Sequence, residues 1–161
     1  MKQEQGFSLI ELLIVVAIIA IIAAIAVPSM LTSRMSANEA GAIQGCRTIG
    51  SAEVAFAAVN NQFYTDLATL TNPAFGSFLD SRFNGGTFNG YTYAAGTPAT
   101  VAATLTGLPN GFGFLADPAA ADSTGRYVYG IASDQVVRFD SVAGSAPAPA
   151  GLAPGDPIGK Q

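Results

Sequence analysis

The sequence predicts an α+β protein: a long N-terminal α-helix, hydrophobic in its first half and amphipathic in its second, packed on a C-terminal antiparallel β-sheet of about four strands. Three observations lead there. Residues 7–27 are almost continuously apolar, 19 of 21. From Met35 to Phe63 the apolar residues recur mainly at steps of three and four, the spacing of one helix face. Beyond residue 90 the pattern changes to short stretches alternating with period two, separated by turn residues.

The first element accounts for the overall greasiness. The 161-residue chain is 50% hydrophobic and 11% charged, with a mean hydropathy of +0.39. Outside residues 7–27 the apolar share falls to about 44%, close to that of an ordinary soluble domain. As a helix rising about 1.5 Å per residue, residues 7–27 span roughly 31 Å, enough to cross a bilayer core of about 30 Å. Three fates fit such a segment. A secretory signal would be cut at Ala24-Ile25-Ala26, a small-x-small pattern, but the run is longer than the usual signal core and Glu11 interrupts it. A plain anchor explains the length and leaves Glu11 unexplained, although an acidic residue inside an apolar span costs about 2.5–3.5 kcal/mol at mid-helix. A cut between Gly6 and Phe7 explains both, because it creates an α-amine with an unperturbed pKa of about 7.7–8.0 at the start of the helix. That cation is a partner for Glu11, either four residues along the same helix or on a neighbouring subunit. Removing one member of such a buried pair would cost about 3–5 kcal/mol.

The string Gly6-Phe7-Ser8-Leu9-Ile10-Glu11, followed by an Ile/Ala/Val/Leu run ending at Val27-Pro28, resembles the N-terminus of type IV prepilins and of the pseudopilins of type II secretion. The resemblance implies a pilin fold. It also implies that an inner-membrane prepilin peptidase removes residues 1–6 as a leader and methylates the new Phe7 amine, which keeps its charge. Residues 7–28 would then anchor the precursor in the inner membrane, with the globular part outside the cytoplasm. Later the same residues would form a filament core, added by an inner-membrane assembly platform.

Pro28 removes a backbone donor and crowds the preceding turn, predicting a kink or break at residues 20–28. The amphipathic half is expected to reach about Gln62, with Met35, Ile43, Cys46, Ile49, Ala52, Phe56, Val59 and Phe63 on its apolar stripe. Arg34, Glu39, Arg47, Glu53 and Asn60 are expected on the opposite, solvated side. Gly41, Gly45 and Gly50 each disfavour this helix by about 1 kcal/mol relative to Ala, so packing must hold it. Residues 60–90 mix turn residues with Phe and Leu and read as a packed connecting loop. The alternating stretches are 91–94, 101–106, 112–115, 126–131 and 135–139, with Ser133-Asp134 as the turn between the last two. The order of these stretches also resembles the C-terminal sheet of bacterial type IV pilins. Residues 29–140 form the globular domain on this reading. Residues 141–161, rich in Ala, Pro and Gly, form a flexible or loosely surface-bound tail. Ser141 and Ser145 are the tail's candidate sugar sites, and the chain has no Asn-x-Ser/Thr sequon.

Chemistry is sparse. With no His the chain has no Ser-His-Asp triad and no imidazole metal ligand. The one Cys, Cys46, cannot close an internal disulfide. The family's frequent C-terminal disulfide loop is therefore closed here by other means, and Cys46 reads as a small buried hydrophobe. A net charge of −4 without a Lys/Arg cluster gives no nucleic-acid footprint. The resemblance to major pseudopilins raises calcium in the loop at 117–125, with Asp117 and Asp122 as candidate ligands. Those two lack the alternating ligand rhythm that six to eight oxygens require and read first as turn residues, so no cofactor is expected. The aromatics read as core. The expected function is a non-enzymatic structural subunit of an extracellular type IV pilus, with itself as main partner. A periplasmic pseudopilin is the alternative, and a secreted binding domain cut after Ala26 is a third.

Overall fold

The computed structural model describes residues 6–96, 111–141 and 157–158. The contacts divide the chain into two units, residues 1–34 and 35–161. Helix α1, Leu9–Val59, contributes to both. A short helix α2, Leu67–Leu70, follows, with two 3₁₀ turns at Pro73–Phe75 and Ser81–Phe83. The strands are β1 Thr87–Phe88, β2 Tyr91–Ala95, β3 Gly113–Pro118, β4 Tyr127–Ala132 and β5 Val137–Ser141.

Pro28 lies inside α1 without ending it, so of the expected kink or break at residues 20–28 the break does not occur. It leaves the Ala24 carbonyl without its helical donor, while the turn that follows is reinforced: the Thr32 and Ser33 hydroxyls donate to the carbonyls of Pro28 and Ser29. The helix stops at Val59, three residues early, where Asn61 takes left-handed backbone (φ 53°). There the Gln62 N–H donates back to Ala57 O at 2.9 Å, the 6→1 bond of a Schellman ending.

The sheet is an antiparallel meander in the order β1 to β5. It has five strands rather than four, because β1 lies at the end of the segment read as loop. The signal for it is Asn89-Gly90, with φ of 52° and 74°. This is the left-handed pair that a tight hairpin turn demands, and it sets Phe88 opposite Tyr91. The expected turn at Ser133-Asp134 is present, closed by the Gln135 N–H donating to Ala132 O. The expected strand at 101–106 and residue Ser145 lie outside the described residues. In the tail, Pro157 bridges to Arg138 and the Ile158 N–H donates to Val137 O, so this part of it is tied to the β5 edge.

The core of the second unit sits between α1 and the sheet. Alternation buries Tyr91 and Tyr93 of β2, Phe114 and Ala116 of β3, Tyr127, Tyr129 and Ile131 of β4, and Val137 and Phe139 of β5. Leu67, Leu70, Leu79 and Phe83 of the connector join them, as a packed loop should. The buried face of α1 runs Glu39, Ala42, Cys46, Ile49, Glu53 and Phe56, flanked by Gly45, Gly50, Ala52 and Ala57. This corrects the expected stripe in two ways. Val59 and Phe63 are exposed, since they fall at and beyond the helix end. Glu39 and Glu53, expected in solvent, are buried, with polar partners supplied by Arg126 in the loop before β4 and by Thr65 of the connector.

Candidate functional site

The first unit carries the features on which the sequence reading rests. Its helix is long and apolar enough to cross a membrane, and among the described residues none of its apolar stretch is buried. Large apolar side chains point outward all round it, from Leu9 and Ile10 through Ile25, Val27 and Leu31. A helix that is apolar on every side has no stable home in water, because each such side chain is worth about 1.5–3 kcal/mol when removed from it. It requires lipid or other apolar helices.

Immediately before that helix Gly6 has open space around its Cα, and Phe7 is 93% exposed. The Gly6–Phe7 peptide therefore stands clear of the other described residues. Ser8 precedes the first helical residue, and its N–H donates to Glu11 Oε2 at 2.8 Å. Ser8-x-x-Glu11 is half of a capping box, with the N3 glutamate reaching back to the N-cap amide. A negative side chain in the first turn also meets the positive end of the helix dipole. Glu11 thus has a partner, the Ser8 amide, that the expected pairing with a Phe7 amine did not include. The serine–glutamate spacing is a sequence signal for it.

In the second unit, the loop proposed for calcium is closed by its own bonds. The Thr124 N–H and hydroxyl both donate to Ala120 O, and the Asp122 N–H donates to Gly125 O. Arg126 then clamps the loop to α1: its Nε and Nη2 donate to the two oxygens of Glu39 at 3.1 and 3.2 Å, and its backbone N–H adds a third bond at 3.0 Å. Asn38 Nδ2 donates to Thr124 O beside it. Asp117 is half-buried, and that burial raises its carboxyl from its ordinary value. Asp122 is exposed with a left-handed φ of 56°. Among the described residues no three acidic, Cys or His side chains gather to hold an ion. A guanidinium already meets the carboxylate of Glu39.

Cys46 is fully buried, and burial pushes its thiol up to about 12. It sits in the seam against the sheet, as a small hydrophobe would.

Comparison with known proteins bears on the first unit. Residues 1–27 match the family model of the prokaryotic N-terminal methylation motif. No curated protein and no solved structure matches the chain.

Proposed function

We propose that this chain, which carries the prepilin-type methylation motif, is a structural subunit of an extracellular type IV pilus, cut after Gly6 and polymerised through its N-terminal helix. The observation that carries this reading is the juxtaposition at one helix start: an open Gly6–Phe7 bond, a carboxylate at Glu11 in the first turn, and an apolar surface that none of the described residues covers.

The steps follow from those residues. Peptidase cleavage frees the Phe7 amine one residue from the Ser8–Glu11 cap. Methylation leaves that amine cationic. When copies pack side by side, the amine of one chain meets Glu11 of the next, and the pairing sets the axial stagger. The apolar helices supply most of the attraction, while the charge pair supplies register, since a misaligned copy would strand two charges in an apolar core. No metal enters this scheme. The loop at 117–125 is held by Arg126 and Glu39, which favours a pilus subunit over a calcium-dependent pseudopilin.

Intact mass of the mature protein tests the first step: Phe7 or N-methyl-Phe7 should be the first residue, and a start at Val27 would instead identify a secreted domain. Gly6→Val should block the cut. Glu11→Ala should leave the cut intact and abolish or sharply reduce filaments in sheared preparations, and normal filaments from it would refute the pairing. Surface filaments of the wild-type chain under the electron microscope distinguish a pilus from a pseudopilus, which stays periplasmic.

A further inference from the structure

The segment joining α1 to α2 is held by few contacts, and one of them ends on a buried acid. None of residues 58–66 is buried. Asn61 and Gln62 both take left-handed backbone, φ 53° and 66°, which disfavours non-glycine residues by on the order of 1 kcal/mol each. Among the described residues, beyond the bonds of the turn itself and those by which Asp66 caps α2, two ties hold the segment. The Tyr64 ring meets Phe112 edge-on with centroids 5.0 Å apart, and the Thr65 N–H donates to Glu53 Oε2 at 3.1 Å.

Glu53 is fully buried, and its Oε1 has no hydrogen-bond partner among the described residues. One turn away on the same helix face lie Ile49, Gly50, Phe56 and Ala57, all uncharged. From the connector Asp66 faces it with like charge. The turn after β4 carries Asp134, and β5 carries Arg138, which pair with each other. Arg47 of α1 is exposed. Burial, opposed only in part by the Thr65 bond, pushes the Glu53 carboxyl up to about 7.

We propose that Glu53 is a proton-operated latch that holds the 60–66 segment on α1 while neutral and loosens it when ionised. On ionisation the O–H bond breaks and the proton passes to solvent. A carboxylate with one unsolvated oxygen is left in the core, and this is relieved when the strained segment lifts and admits water. Opening returns the carboxyl to its ordinary value of 4.5. The ratio of open to closed segment therefore rises about tenfold per pH unit between about pH 4.5 and 7, and levels off above. The latch belongs to the globular unit and does not depend on the filament reading.

Hydrogen exchange at the Thr65 amide of the full-length chain in detergent micelles tests it, expressed as protection relative to an unstructured chain. Wild type should lose protection more than tenfold between about pH 5 and about pH 8, and Glu53→Gln should change by less than about threefold. Equal wild-type protection at both pH values, or the same loss in Glu53→Gln, would overturn the proposal. Should that variant not fold, the ¹³C carboxyl shift of Glu53 in the unaltered protein decides. A midpoint near 7 supports the latch, and one in the ordinary carboxyl range refutes it.

Discussion

Arg126 and Glu39 show how a residue's surroundings reverse the reading of its type. On sequence alone Glu39 belongs with the solvated residues of an amphipathic helix, yet its side chain is 10% exposed and receives three bonds from one arginine. Arg126→Met would leave that carboxylate buried without its cation. The arginine is itself one-third exposed, so the loss should lie nearer about 2 kcal/mol than the 3–5 of a fully buried pair. Urea denaturation measures it, and the double variant Glu39→Met/Arg126→Met should recover part of the loss, because no charge is then stranded. Cys46 tests burial more simply. With its thiol inside the core and pushed up to about 12, it should resist maleimide labelling at neutral pH until the protein unfolds. Rapid native labelling would contradict the packing described.

At the scale of elements, the glycines of α1 find their reason in the sheet. Gly45 is disfavoured in a helix, but a Cβ there would run into the Tyr93 hydroxyl and ring, and one at Gly41 would meet Asn89. Gly45→Ala should therefore lower the melting temperature despite its better helix propensity. The overpacking of about 1–3 kcal/mol outweighs the gain of about 1 kcal/mol. The loop at 117–125 makes a parallel point. Its closure by Thr124, Asn38 and Arg126 means that a chelator should leave the melting temperature unchanged, and a fall on chelation would restore calcium to the loop. Several elements could be read directly. The alternation of β2 to β5, the turn at Ser133-Asp134 and the apolar helix follow from periods and turn chemistry. Strand β1 was equally available in Asn89-Gly90. The buried face of α1 was not, because small residues such as Ala42 and Gly45 carry little hydrophobic signal and are chosen for close approach.

For the whole molecule, stability should follow pH with a maximum in mild acid. Glu53 is raised from 4.5 to about 7 on folding, so the native state binds more protons between those values and stability declines as pH rises through them. The decline reaches at most about 3 kcal/mol and then levels off. Asp134 has the opposite sign. Burial pushes its carboxyl up, but the hydrogen bonds from Arg138 and the Val136 N–H outweigh it and hold it below its ordinary 3.8, so its contribution is lost as the solution becomes strongly acidic. Thermal unfolding across the pH range should show both limbs. Glu53→Gln should flatten only the upper one.

By itself the sequence determined the N-terminal methylation motif of this protein and its membrane-length helix, because an apolar span, one glycine and one carboxylate are spaced along a single helix and need no distant partner to be recognised. Even the Ser8–Glu11 cap is local, three residues apart. Only the tertiary structure decided the fate of Glu39, Glu53 and the α1 glycines. Their partners, Arg126, Thr65, Tyr93 and Asn89, lie up to 87 residues away along the chain. Whether an acid is solvated, clamped or left half-satisfied in a core depends on what the fold brings beside it.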